Sequence, residues 1–338
     1  MGPTVGETGE FGLIEIIKRI IPWQGGSALV VGIGDDTAAW QPTAGSLTLA
    51  TCDIQVEGRH FLRSSITPYQ LGRRATAINL SDIGAMGGQP RYALVSLALP
   101  KDTEVAWVEE LYRGLKDEMA QFGAGVVGGN LSATSGPIVI DISLLGEVAP
   151  QALVRRNGAQ PGDAVMVTGA LGASAAGLLA IQHGLDGKRP AVAKVLAAHL
   201  TPTPRVREGM AIGRSGKATA MIDVSDGLAG DLGHICEASR VAARIFASRV
   251  PIGAETHEIA AELGADALAL ALHGGEDFEL VFTCRPDEAA ALAAALHQET
   301  GVPAVEIGVL TAGSGITLVR PGGTEERLTA GGWDHFKK

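Results

Sequence analysis

The sequence predicts an α/β (α+β) protein of two domains, and three observations predict it. Its 338 residues amount to roughly two domains at about 100–200 residues each. Short β-rich runs alternate with helical patterns along most of the chain, the pattern of mixed α/β layers. Between 149 and 163 the apolar pattern fails and two prolines fall, Pro150 and Pro161, which is where a boundary belongs. The expected organisation is an amino-terminal domain over 1–148, a linker over 149–163 and a carboxy-terminal domain over 164–338.

The first element is an amphipathic helix over Glu10–Ile21, with Phe11, Ile14, Ile17 and Ile21 at three- and four-residue spacing. Strands are expected at Ala28–Ile33, Leu47–Cys52, Tyr92–Leu99, Gly125–Val127 and Ile138–Val148, with helices near 68–86 and 103–122 between them. In the second domain the strands fall near 164–168, 219–223, 242–246, 278–283 and 304–310, separated by Ala-rich helices. Nothing repeats at the 20–50-residue periods of solenoids.

Composition narrows the function. Hydrophobic residues make up 46% and aromatic ones only 4%, so the core is mainly aliphatic. The 46 glycines follow no collagen period and point to tight turns and close backbone approaches. A net charge of −10 disfavours a nucleic-acid binder, whose affinity rests on basic residues neutralising phosphates. Cys52, Cys236 and Cys284 are odd in number and far apart, which makes neither a disulfide framework nor a zinc knuckle and fits a reducing cytoplasm. The first ten residues lack a basic n-region and an apolar h-region, so no secretory leader is expected. The longest apolar stretch, Ala164–Ala180, is broken by Gly, Ser and Thr and falls short of a membrane span.

Chemistry enters with the acids. Asp35 and Asp36 follow Val-Val-Gly-Ile-Gly, Asp53 follows Leu-Ala-Thr-Cys, and Asp223 and Asp226 follow Ala-Met-Ile. Each is expected where an apolar strand stops, the usual place for functional loops. Asp82 lies among Leu80, Ile83 and Met86, where a lone desolvated carboxylate would cost several kcal/mol or lose its charge. A turn or N-cap is the ordinary role for any one aspartate. Six that converge would repel one another, and Mg²⁺, a hard cation that bridges carboxylates to phosphates, would resolve the conflict. Glycines flank these acids at 32–36, 128–130 and 274–277, as in turns that bring main-chain N–H groups to an anion.

Other chemistries lack their signatures. No P-loop, dinucleotide fingerprint, G-x-S-x-G elbow or H-E-x-x-H is present. Gly169-x-x-Gly172-x-x-x-x-Gly177 reads as helix-start and packing glycine. The eight histidines are scattered singly, and only His60 lies near the acidic motifs, where a surface or capping role is the default.

Nine motifs in order then carry a resemblance. They are G-E-F-x-L-I at 9–14, G-I-G-D-D at 32–36, T-C-D with G-R-H-F at 51–61, N-L-S-D-I-G-A-M-G at 79–87 and V-G-G-N at 127–130, followed by R-x-G-A-x-P-G-D at 156–163, I-D-V-S-D-G-L at 222–228, G-G-E-D-F-E-L at 274–280 and G-W-D-H-F at 332–336. Together they resemble the thiamine-monophosphate kinase family, of the aminoimidazole-ribonucleotide synthetase superfamily, over essentially the whole chain. The resemblance implies the two-domain fold of that superfamily and a homodimer in which the amino-terminal domains pair into a β-barrel-like interface. It implies transfer of the ATP γ-phosphoryl group to thiamine monophosphate, with several Mg²⁺ ions; K⁺ is admitted.

Carried over by motif, the metal ligands would be Asp36, Thr51, Cys52 through its carbonyl, Asp53, Asp82, Asn130, Asp223 and Asp226. Of these, Asp36, Asp53, Asp82 and Asp223 would carry the catalytic electrostatics. Tyr112, Gly129, Asn130, Arg156 and Ser225 match nucleotide contacts, and His60, Glu276 and Trp333 match acceptor contacts. Asn130 stands where many family members have Asp, one charge fewer at that position. The rival readings are a sister enzyme of the superfamily, a nucleotide-binding regulator without turnover and, more distantly, a metal-dependent phosphatase.

Overall fold

A computed structural model of the chain describes residues 2–22 and 28–328. The chain divides into two compact units, one of residues 1–83 and 88–150 and one of residues 84–87 and 151–338.

The first unit runs α1 (Val5–Ile20), β1 (Leu29–Val31), β2 (Ala39–Trp40), β3 (Leu47–Val56), α2 (Pro68–Ala85), β4 (Gln89–Leu99), α3 (Val105–Ala120), β5 (Gly125–Ala133) and β6 (Val139–Val148). Helix α1 starts on a capping box, in which Thr4 and Glu7 satisfy each other's main-chain N–H, and kinks at Gly9. Its buried face is Leu13, Ile17 and Ile21. Phe11, expected on that face, is 81% exposed, because the kink ends the helical phase before it.

Strands β3, β6, β4 and β5 form a sheet in that order; β4 and β5 are parallel, joined through α3, and the other pairs are antiparallel. One face is covered. A Cβ on Gly146 of β6 would come within 2.8 Å of Ile83 of α2, and one on Gly72 of α2 within 2.1 Å of the Leu111 carbonyl of α3. The helices thus pack nearly backbone to backbone, which only glycine allows. The other face is open and carries Cys52, Ile54, Leu94, Ser96 and Asn130.

The strand lengths correct two expectations. Asp53 does not end its strand, because β3 continues to Val56; polar residues alternate along this edge strand, and the apolar run stops before the ladder does. The glycines of 128–130 form no turn and lie inside β5. There, a Cβ on Gly129 would sit 2.0 Å from the Val95 carbonyl.

The second unit runs β7 (Ala164–Thr168), α4 (Ala173–Gln182), α5 (Pro190–Leu200), α6 (Val206–Ser215), β8 (Ala218–Asp223), α7 (Leu228–Ser239), β9 (Ala242–Phe246), α8 (Ala254–Glu262), α9 (Ala267–His273), β10 (Leu280–Cys284), α10 (Pro286–Thr300), β11 (Ala304–Thr311), β12 (Gly315–Val319) and β13 (Glu325–Leu328). Its seven strands are ordered β13-β12-β9-β11-β7-β10-β8. Strands β7 and β10 are buried throughout. Successive side chains feed two cores: Val165 and Val167 join Ile222, Leu228 and Leu232 on one side, and Met166 joins Met221, Phe282 and Leu292 on the other. Residues 151–163, expected as a linker, are tied into this unit. Met221 N donates to the Arg155 carbonyl at 3.0 Å, Leu310 N to the Asp163 carbonyl at 2.8 Å, and Thr219 Oγ1 to Asp163 Oδ2 at 2.7 Å. No helix among the described residues is long and apolar enough to cross a membrane.

Candidate active site

In the first unit, the strand alternation of β3 sends Thr51 and Asp53 to the face lined by Leu144 and Ile142, their partners on β6. Helix α2 brings Asp82 there between the buried Leu80 and Ile83, and the Thr51 hydroxyl donates to Asp82 Oδ2. That bond satisfies one oxygen of a half-buried carboxylate, which the sequence reading of Asp82 required. Asp36 is exposed in the turn after β1, where its N–H donates to Asp35 Oδ1 at 2.9 Å.

Cys52 points to the opposite, open face. Its thiol donates to Asp141 Oδ1 at 3.0 Å and accepts from Ser143 at 3.5 Å. The Ser143 hydroxyl pulls the thiol pKa down, the Asp141 carboxylate and partial burial push it up, and the net is upward. Asn130 aligns with Ser96 of β4 and through it with Asp141. The ladder therefore places it on Cys52's face of the sheet, away from Thr51 and Asp53. His60 follows β3, and its Nδ1 accepts from Val56 N–H at 2.9 Å, which fixes the neutral tautomer with the proton on Nε2. Tyr112 is 3% exposed on α3, and burial pushes its phenol pKa up. As placed, it packs the helix and lines no open surface, unlike the nucleotide contact expected of it.

In the second unit two motifs are knitted together by main-chain bonds. Strand β8 ends on Asp223, which is 3% exposed, and the turn Val224–Gly227 leads into α7. The segment 274–279 runs alongside: Glu276 N donates to the Ser225 carbonyl at 2.7 Å, Phe278 N to the Val224 carbonyl at 2.9 Å, and Val224 N to the Glu279 carbonyl at 2.7 Å. A Cβ on Gly275 would lie 2.4 Å from the Ser225 carbonyl, so the pairing needs that glycine. Glu276 and Phe278 hold φ of 66° and 52°, a left-handed backbone that costs about 1–3 kcal/mol per residue and gathers at functional sites.

Three carboxylates from this segment are each tied down. Asp277 accepts from Gly172 N at 2.6 Å and Ser174 N at 3.1 Å, capping α4; burial pushes its pKa up to about 7 against the pull of those N–H groups. Glu279 accepts from Thr168 Oγ1 at 2.6 Å and, in a fork, from Arg205 Nε at 2.7 Å and Nη2 at 2.6 Å. The Glu276 carboxylate lies 3.6 Å from His199 Nδ1. Asp277 fills the amino-terminal end of α4, so the Gly169–Gly177 run there is helix-start and packing glycine. Arg156 is exposed, with its carbonyl accepting from Ser239 Oγ at 3.2 Å. Trp333 and the G-W-D-H-F motif lie outside the described residues.

Asp231, on α7, was not singled out in the sequence. Its Oδ2 accepts from Ser225 N at 3.0 Å and Asp226 N at 2.9 Å. Burial first, then the charges of Asp223 and Asp226, push its pKa up to about 8. Its signal was the one that exposed Asp82: an acid inside an apolar helix, Leu-Ala-Gly-Asp-Leu. Asp277, Glu279 and Arg205 were passed over too, since their partners lie about 70 to 110 positions away.

The donor set fits Mg²⁺ in kind, because it is made of carboxylate and hydroxyl oxygens. Asp231 lies beside Asp223 and Asp226, whose charges add to burial in raising its pKa, and a divalent cation bound there would offset their mutual repulsion. Among the described residues, no group of three or more His, Cys, Asp or Glu side chains already closes into a metal-holding cluster.

Family models define the class. The model of the AIR synthase related protein, N-terminal domain, matches residues 34–148, and that of the C-terminal domain matches 160–320. Within that class, the thiamine-monophosphate kinase of Aquifex aeolicus (strain VF5) is 36% identical over 330 residues, 98% of this chain and 99% of the relative. The solved thiamine-monophosphate kinase from Stenotrophomonas maltophilia K279a is 33% identical with a TM-score of 0.82, covering 92% of this chain and 96% of that one. The structure of AaThiL complexed with AMPPCP and TMP is 35% identical with a TM-score of 0.78, covering 98% of both chains. The chain belongs to the thiamine-monophosphate kinase family.

Proposed function

We propose that the protein is an ATP-dependent phosphotransferase that moves the γ-phosphoryl group to thiamine monophosphate, giving thiamine diphosphate and ADP. One observation carries the reading: likeness over 98% of the chain to a protein complexed with an ATP analogue and TMP.

The chemistry suits the residues. The nucleophile is a phosphate oxygen, already ionised at neutral pH, so no general base is needed to create it. Consistent with this, the first-unit group contains a hydroxyl and carboxylates, and His60 has its Nδ1 engaged by Val56 N–H. The barrier is the approach of two polyanions. At ~4 Å each pair of unit charges repels by about 4 kcal/mol at an effective dielectric of about 20. Asp36, Thr51, Asp53 and Asp82 in the first unit, and Asp223 and Asp226 in the second, would hold Mg²⁺. When bound, Mg²⁺ supplies charge neutralisation and alignment for direct in-line transfer, with no phosphoenzyme. The chain's residues position the reactants. Gly129, Asn130, Arg156 and Ser225 would face the nucleotide. His60, through Nε2–H, would donate to an acceptor oxygen. Glu276 would face the cationic acceptor with its carboxylate, joined by Trp333.

The open sheet face of the first unit supports a homodimer. Ile54 is 50% exposed and Leu94 37% exposed on that face, and a second copy of the sheet would cover them.

Purified protein incubated with ATP, Mg²⁺ and thiamine monophosphate should form thiamine diphosphate and ADP in equal amounts, followed by chromatography of both products. ATP binding with no product would support the regulator, and inorganic phosphate without thiamine diphosphate would support the phosphatase.

A further inference from the structure

Ser174 and His199 are both buried, and neither belongs to any motif that carries the family resemblance. Yet they stand beside Glu276. Ser174 Oγ lies 3.1 Å from His199 Nδ1, and the same nitrogen faces Glu276 Oε2 at 3.6 Å. The fold brings them together through a close helix contact. A Cβ on Gly177 of α4 would come 2.1 Å from the Val195 carbonyl and 2.8 Å from His199 Cβ. The bare glycine therefore lets the last turn of α5 settle against the first turns of α4.

Helix α5 is Ala- and Leu-rich (Pro-Ala-Val-Ala-Lys-Val-Leu-Ala-Ala-His-Leu), and Leu at 199 would fill the same space. A buried imidazole is costly there unless it makes polar contacts. The contacts present settle its orientation. A carboxylate facing Nδ1 favours a proton on that nitrogen, because the opposite tautomer would aim a lone pair at negative charge. Nδ1–H then serves the Ser174 hydroxyl oxygen and attracts Glu276 Oε2. Ser174 is itself fixed through its N–H, which donates to Asp277 Oδ1. The Glu276 side chain remains 34% exposed, so it has accessible surface for a ligand besides the side turned to His199. Its main chain is set by the left-handed φ and the bond to the Ser225 carbonyl.

We propose that His199, oriented by Ser174, is a positioning residue that fixes the Glu276 carboxylate for the acceptor. This rests on the reading of Glu276 as an acceptor contact, and the test separates the two. Steady-state kinetics and thermal melting would compare Glu276→Gln, His199→Leu, His199→Asn, Ser174→Ala and the His199→Leu/Glu276→Gln double variant in the full-length protein. Glu276→Gln should raise the KM for thiamine monophosphate about tenfold, as expected for loss of a contact to a charged group, and leave the KM for ATP near its starting value. His199→Leu should raise the same KM severalfold and add little in the Glu276→Gln background, the non-additivity of coupled residues. His199→Asn, which keeps an N–H donor near Nδ1, should restore most of the affinity. Ser174→Ala, which leaves the imidazole in place, should give a smaller rise. The proposal is overturned if His199→Leu moves both KM values alike, if its effect adds in full to that of Glu276→Gln, or if His199→Asn behaves like His199→Leu. Should His199→Leu not fold, an unchanged acceptor KM in Ser174→Ala would overturn it. A silent Glu276→Gln removes the acceptor reading and this one with it; a responsive Glu276→Gln with a silent His199→Leu removes this one alone.

Discussion

Asp82 receives the Thr51 hydroxyl on one oxygen, and Asn at 82 would still accept that bond while removing the charge. Asp82→Asn should therefore lower kcat by about 10²–10³-fold, the scale of losing one preorganised electrostatic contact, with melting little changed. Near-normal turnover would take Asp82 out of the reaction. Its place beside Thr51 was signalled because an acid between Leu80 and Ile83 has no cheap explanation. Asp231 sends the same signal, yet its partners, the N–H groups of Ser225 and Asp226, belong to a turn whose geometry no spacing rule reveals. Asn130 shows the limit of motif transfer. Its register with Ser96 depends on a bulge between Ala93 and Leu94, and that decides which face of the sheet it joins.

Among elements, the segment 274–279 stands out because Asp277, Phe278 and Glu279 anchor it in the core while the Glu276 side chain stays partly exposed. Glu279 is the deepest anchor: its carboxylate occupies the space where a Cβ on Gly169 would lie, 2.1 Å from Oε1. Removing it leaves the largely buried Arg205 guanidinium without its partner. Glu279→Ala should thus cost about 3–5 kcal/mol, read as a fall in the urea midpoint with an unchanged slope. A loss under about 1 kcal/mol, the scale of a surface pair, would mean that Arg205 finds another partner or water. The sequence showed the two glycines and the acids of this segment, and strand β10 after them. It could not show that the segment pairs with Val224–Ser225, because three main-chain bonds between positions some fifty residues apart leave no mark on either motif. Strands β12 and β13 escaped for another reason: they are short, five and four residues, with few consecutive apolar residues.

For the whole molecule, the alternation of strands and helices indicated the class, and the chain length with the loss of the apolar pattern after 148 indicated the two-part division. The stretch 151–163 read as a linker because it lacks an apolar period, yet its bonds to β8 and β11 place it in the second unit. Irregular chain can be firmly held when its main-chain groups find partners. The open face of the first unit makes a further expectation. Ile54→Lys, at a half-exposed position that a single unit tolerates, should shift the sedimentation mass from twice 34.7 kDa to 34.7 kDa. A dimer unaffected by that lysine would place the interface elsewhere.

On the proposed function, two polyanions share this protein only when their charge is offset by a divalent cation. Calorimetric titration of thiamine monophosphate into protein saturated with AMPPCP, with Mg²⁺ and then with EDTA, measures that directly. The expected result is a ternary complex with Mg²⁺ and mutual exclusion of the two ligands without it. Equal affinity for the acceptor in both conditions would show that no cation is needed to bring the two phosphates together.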